Sequence, residues 1–297
     1  MKKSKPYGII VPTITPFKSN EEQDLDEEAL RELVRYLLKS GVHGIFPCGG
    51  TGEFPLLSEE EHKKVIEIVI DEVKGKIPVI PGAGNAGTRN ALRLAKLARD
   101  AGADAVVVLT PWFYSYNLIG YEGLYEHYKT IARGANLPVI LYDEPPVCGY
   151  DIDPGLLARL ADEANVVGIK EASHSLAHAS QVIKTCGDKV TLISADGAQL
   201  LPHLIIGARA NITAANNVAP KLFVELFESF MKGNIQRARE IYQDLIPLFS
   251  LCGPPANVKE ALNMMGMSVG IPRKPLKPAT KETKTKLKQV LKDLKLI

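Results

Sequence analysis

Paired cysteines are missing from this chain: Cys48, Cys148, Cys186 and Cys252 lie far apart and form no CxxC motif. That excludes a disulfide framework and a thiolate zinc cage, and it fits a reducing compartment. A surplus of charge of either sign is missing as well, since 36 Lys+Arg against 34 Asp+Glu leave a formal net charge of +2. The balance is too even for a protein that works by neutralising many phosphates, so nucleic acid is not an expected partner. The apolar stretch Gly8 to Ile14 behind Lys2 and Lys3 is broken by Pro12 and followed by Pro16. It reads as neither signal core nor membrane span, which predicts a cytoplasmic protein with no membrane contact. What is present, 45% hydrophobic and 24% charged residues, excludes disorder, collagen and coiled coil and allows a sizeable core.

Short runs rich in Val, Ile and Ala recur roughly every 20 to 36 residues, each followed by a stretch of helical periodicity, as βα units require. Eight strands are expected, beginning near Gly8, Gly44, Pro78, Asp104, Pro138, Val166, Val190 and Ala210. The runs are continuous, not alternating, so the strands should be covered on both faces in a parallel sheet. Asp26, Ser58, Thr88 and Asp153 (with Pro154 behind it) read as helix N-caps, and Gly41 and Gly102 as helix stops. The repeat count, with no GxGxxG after the first strand, favours an α/β fold of the (β/α)8 TIM barrel type over a doubly wound sheet. The expected domains are a barrel over residues 1–233 and a C-terminal helical extension over 234–297. The Lys-rich stretch from Thr280 to Ile297 should be a solvated helix face.

In such an architecture the chemistry belongs at the carboxyl ends of the strands. Lys170 ends the run VVGIK and shares a strand face with Val166 and Gly168. Turned inward, its ammonium would be desolvated. Bringing its pKa from about 10.4 to near neutrality takes on the order of 4 kcal/mol and yields the free amine that a Schiff base needs. The bland alternative is a lysine reaching solvent or pairing with Glu171. Tyr142 ends the neighbouring run PVILY, where its phenol can shuttle protons or simply cap the core. The loop Gly49-Gly50-Thr51-Gly52-Glu53 can make an anion nest with an added hydroxyl, or an ordinary turn. Together the three describe a site for a 2-oxo acid.

These residues also carry a resemblance. Gly49 to Glu53, Tyr142 followed by Pro145 and Gly149, and Gly-Ile-Lys-Glu-Ala from Gly168 to Ala172 are similar to the motifs of the dihydrodipicolinate synthase/N-acetylneuraminate lyase family. The similarity extends from Val11-Pro12-Thr13 to Arg273-Lys274-Pro275-Leu276. It implies a class I lyase in which Lys170 forms an imine with pyruvate or another 2-oxo acid and Tyr142 relays protons. Gly50 and Thr51 would bind the substrate carboxylate, and Ile212 would line the pocket. An aldehyde is the implied second substrate, no cofactor or metal is implied, and a homotetramer built from dimers is.

The chain departs from the synthase pattern in three places. Gly50 stands where synthases have a threonine of the proton relay, Val147 where they have a carboxylate-binding arginine, and Phe113 where they have a tyrosine. Tyr114 or Tyr116 could supply that last phenol. A 2-keto-3-deoxy sugar acid aldolase or dehydratase is therefore the alternative. Readings of other classes are a non-catalytic oxo-acid binder and a metal-dependent barrel enzyme using His174, His178 and Asp196. Asp143 and Glu144 read as exposed loop charges, and Cys48 as a packing residue.

Overall fold

The structure, a computed structural model, describes residues 5–297. It is an α/β fold of parallel strands alternating with helices, and its backbone contacts divide it into two compact units.

One unit comprises residues 8–79 and 213–297. It holds strands β1 (Gly8–Pro12) and β2 (Gly44–Phe46), paired in parallel with Ile10 opposite Gly44. The helices Glu27–Lys39 and Glu59–Val73 begin where the caps were expected. Asp26 accepts from the N–H of Ala29, and Ser58 forms a full capping box with Glu61. The C-terminal part contributes the helices Pro220–Met231, Ile235–Leu251, Pro255–Met264 and Lys281–Asp293. The last of these is a solvated helix as expected, burying Leu287 and Leu291.

The other unit comprises residues 5–7 and 80–212. Its strands β3 (Val106–Leu109), β4 (Val139–Asp143), β5 (Val166–Glu171), β6 (Thr191–Ser194) and β7 (Ala210–Asn211) pair in parallel in that order. Every residue of these strands is buried, which is why their sequences are mostly apolar without alternation, with buried polar residues such as Asp143, Lys170 and Glu171 at the strand ends. Gly168 lets β5 approach β6 closely, since a Cβ there would lie 3.1 Å from the Thr191 carbonyl oxygen.

Seven strands, not eight, occur among the described residues. The run from Pro78 to Gly82 makes only isolated bridges, Val79 with Ile45 and Gly82 with Val107. Pro78 and Pro81 have no N–H to donate to a ladder, although their carbonyls still accept from Ile45 and Val107. The last run is cut to two residues because Ala214–Asn217 coils into a 3₁₀ turn. Asn216 and Asn217 there donate to the carbonyls of Ile10 and Pro12, a side-chain substitute for backbone pairing. Thr88 is the first helical residue and Gly87 the cap; the Thr88 hydroxyl is instead 2.9 Å from His127 Nδ1.

Candidate active site

Tyr142 on β4 and Lys170 on β5 are directly paired across the ladder. Both side chains are buried, and Lys170 Nζ lies 3.2 Å from the centroid of the Tyr142 ring. Burial lowers the Lys170 pKa to about 7, against the opposing pull of the Glu144 carboxylate. The same burial, with the Glu144 charge added, pushes the Tyr142 phenol well above its usual value. The pair therefore offers at neutral pH a substantial fraction of free amine beside a phenol that keeps its proton. Glu171 is not the partner of Lys170, because alternation along β5 sends it to the other face, where His178 and the Ser173 N–H bind it.

Asp143 corrects the reading of exposed loop charges. It is the last residue of β4, paired with Glu171, and its side chain is wholly buried. Glu144, read in the same way, is half-buried just past the strand end. The proposed helical pair of histidines also fails to form. His174 precedes the helix Leu176–Cys186 with φ of 59° and binds Asp196 at 3.0 Å, while His178 lies within the helix and binds Glu171 at 2.7 Å. Asp143, Asp151 and His178 place possible ligand atoms within 4.8 Å of one another. Both His178 nitrogens are, however, occupied by hydrogen bonds to Glu171 and the Ile152 carbonyl.

Ile212, one residue past β7, is buried and donates to the Ser194 carbonyl. In the loop after β3, Phe113 is 85% exposed with φ of 86°, and Tyr114 packs edge-on against it. Tyr116 opens the helix Tyr116–Ala135 and lies 5.4 Å from the Tyr150 ring, whose hydroxyl donates to the Pro111 carbonyl. Val147 is exposed.

In the unit of residues 8–79 and 213–297, the glycine loop is held from several sides. The N–H groups of Gly52 and Glu53 bond to the carbonyls of Gly49 and Gly50, and the Thr15 hydroxyl donates to the Gly52 carbonyl. A Cβ on Gly49 would strike the Phe46 ring at 2.7 Å, whereas one on Gly50 would meet nothing within 4 Å. Gly50 is exposed and its missing side chain is not a packing requirement. Cys48 is buried as the packing reading expects, with its thiol pushed up by desolvation and directed at the His62 carbonyl.

Sequence reasoning missed the support of this loop. Glu53 is fully buried and pairs with Lys259 at 2.6 Å, while accepting from the Arg273 N–H. Arg273 in turn binds both oxygens of Glu61. The available signal was a lone lysine on the buried face of Pro255–Met264. Removing one member of such a pair strands a charge. Lys259→Met is therefore expected to cost about 3 kcal/mol in denaturant unfolding, most of it regained in the Glu53→Gln/Lys259→Met double variant.

No helix among the described residues is long and apolar enough to cross a membrane. Comparison with known proteins matches residues 5–294 to the dihydrodipicolinate synthetase family. A 4-hydroxy-tetrahydrodipicolinate synthase of Methanopyrus kandleri is 42% identical over 98% of this chain and 97% of its own. The solved dihydrodipicolinate synthase of Aquifex aeolicus superposes with a TM-score of 0.93 at 36% identity, covering 98% of this chain and 99% of its own. A chloride-inhibited dihydrodipicolinate synthase from Acinetobacter baumannii, complexed with pyruvate, gives a TM-score of 0.93 at 34% identity over 98% and 99%.

Proposed function

Since this chain belongs to the dihydrodipicolinate synthetase family, whose members are class I lyases, we propose that it joins pyruvate or a related 2-oxo acid to an aldehyde through an imine on Lys170. The observation that carries the assignment is the buried amine against the Tyr142 ring. The amine attacks the ketone carbon and water leaves, giving the protonated imine. Loss of a proton from the adjacent carbon makes an enamine, which attacks the aldehyde carbonyl. Tyr142 carries the protons of these steps. Gly50 and Thr51 bind the carboxylate and Ile212 lines the pocket; the family motif supports these assignments. The same reading includes the (β/α)8 barrel with residues 234–297 as its helical extension, a cytoplasmic homotetramer, and no cofactor beyond the covalent imine.

Val147 favours a second reading, a 2-keto-3-deoxy sugar acid aldolase or dehydratase, because an apolar exposed side chain offers no clamp for a second carboxylate. Borohydride reduction in the presence of pyruvate is expected to leave a covalent adduct on the peptide containing Lys170, read by mass spectrometry. An unmodified Lys170 defeats the proposal. A screen of aldehydes and sugar acids with pyruvate then separates condensation from cleavage and dehydration.

A further inference from the structure

Behind the Lys170–Tyr142 pair, on the opposite faces of the same two strands, two carboxylates stand directly opposite each other. Asp143 and Glu171 are partners in the β4–β5 ladder, and both side chains are fully buried. Like charges in that arrangement repel across the ladder. His178 lies beside both, with Nδ1 2.7 Å from Glu171 Oε2 and 3.8 Å from Asp143 Oδ2. The peptide of Ile152 closes the ring: its N–H donates to Asp143 Oδ1, and its carbonyl lies 2.9 Å from His178 Nε2.

The protons of this ring can be counted. A carbonyl has no proton to give, so Nε2 must donate to Ile152. The contact between Nδ1 and Glu171 needs a second proton. With the carboxylate ionised, that proton sits on the ring and His178 is an imidazolium.

We propose that His178, held as an imidazolium, is a positioning residue: it is the counter-charge that allows Asp143 and Glu171 to close the ends of β4 and β5 and so keeps Tyr142 against Lys170. This rests on the imine reading only in what the positioning is for. Hydrogen bonding to Glu171 raises the His178 pKa against the effect of burial. Burial would lift Glu171, but the bonds from His178 and Ser173 outweigh it. Asp143 is raised by burial and by the neighbouring Glu171 charge, which leaves it the proton-holding member. The other groups facing Asp143 are Asp151, Tyr128 on the helix Tyr116–Ala135, and Cys148 and Tyr150 beyond β4, while His203 on the helix Leu200–Ile206 faces Glu171 with its pKa lowered by burial. None of these is a cation.

Nitrogen-15 NMR of the histidine rings in the unaltered protein tests the charge state directly. Both His178 nitrogens are expected to remain protonated above the ordinary histidine range, and a neutral ring at neutral pH overturns the proposal. His178→Gln is expected to lower kcat about tenfold, more steeply as pH rises, with KM for pyruvate little changed. Adding Glu171→Gln should recover most of both the unfolding stability and kcat, because the ionised carboxylate that the imidazolium balances is then gone. A double variant no better than His178→Gln in stability overturns the proposal. The NMR and unfolding measurements do not depend on turnover, so failure of borohydride trapping would sink the imine reading and leave them standing.

Discussion

Lys170→Met is expected to abolish both turnover and borohydride-dependent labelling while making the protein more stable at neutral pH. The two effects have one cause. An unfolded lysine holds its proton up to the ordinary value near 10.5, but in the folded chain burial brings Lys170 to about 7. Between those limits the unfolded state binds more protons than the folded one, so stability rises with pH across that window. Below about pH 7 the full cost of burying this group is present, on the order of 4 kcal/mol, and it fades as pH approaches about 10. Methionine fills similar space without a charge. The difference in unfolding free energy between the variant and the parent should therefore be greatest at or below neutrality and shrink on the alkaline side. Urea unfolding at several pH values measures it. A difference that does not change with pH would mean that Lys170 is not desolvated. The activity side has the matching sign, since the free amine accumulates above about 7 and the rate of imine formation should rise through that value and level off.

The part of this site that lies in one strand pair was legible because consecutive βα units set neighbouring strands in chain order. PVILY and VVGIK are successive runs, so their last residues were expected to be neighbours, and Tyr142 does face Lys170. The same alternation that turns those two together turns Asp143 and Glu171 to the other side. Reading Asp143 as a loop charge failed because the strand continues one residue past the tyrosine. Three helix starts were legible from a capping side chain, at Asp26, Ser58 and Asp153, whereas Thr88 proved the first helical residue and the caps at Ser175 and Asn234 were not read. The strand at Pro78 was not, since apolar composition says nothing about the two N–H groups that proline removes. Nor could composition reveal that Lys259, some 200 residues further along, would meet Glu53. Such a pair arises from tertiary placement and leaves no periodic trace.

Tyr142→Phe is expected to lower kcat by about 10²- to 10⁴-fold, the range of a lost general acid–base group, and to leave KM for the 2-oxo acid within a small factor. The phenyl ring keeps the surface on which Lys170 rests, so the amine should still titrate near about 7 and the adduct should still be trapped by borohydride, only more slowly. Single-turnover trapping against steady-state turnover separates these steps. Tyr142→Ala removes the ring along with the hydroxyl. It should cost about 3 kcal/mol or more of stability through the cavity it opens, and water admitted beside Nζ should raise the pKa of Lys170 toward its ordinary value. A phenylalanine variant as active as the parent would assign the tyrosine to packing alone. An alanine variant whose rate profile keeps its rise near about 7 would show that something other than this ring keeps the amine dry.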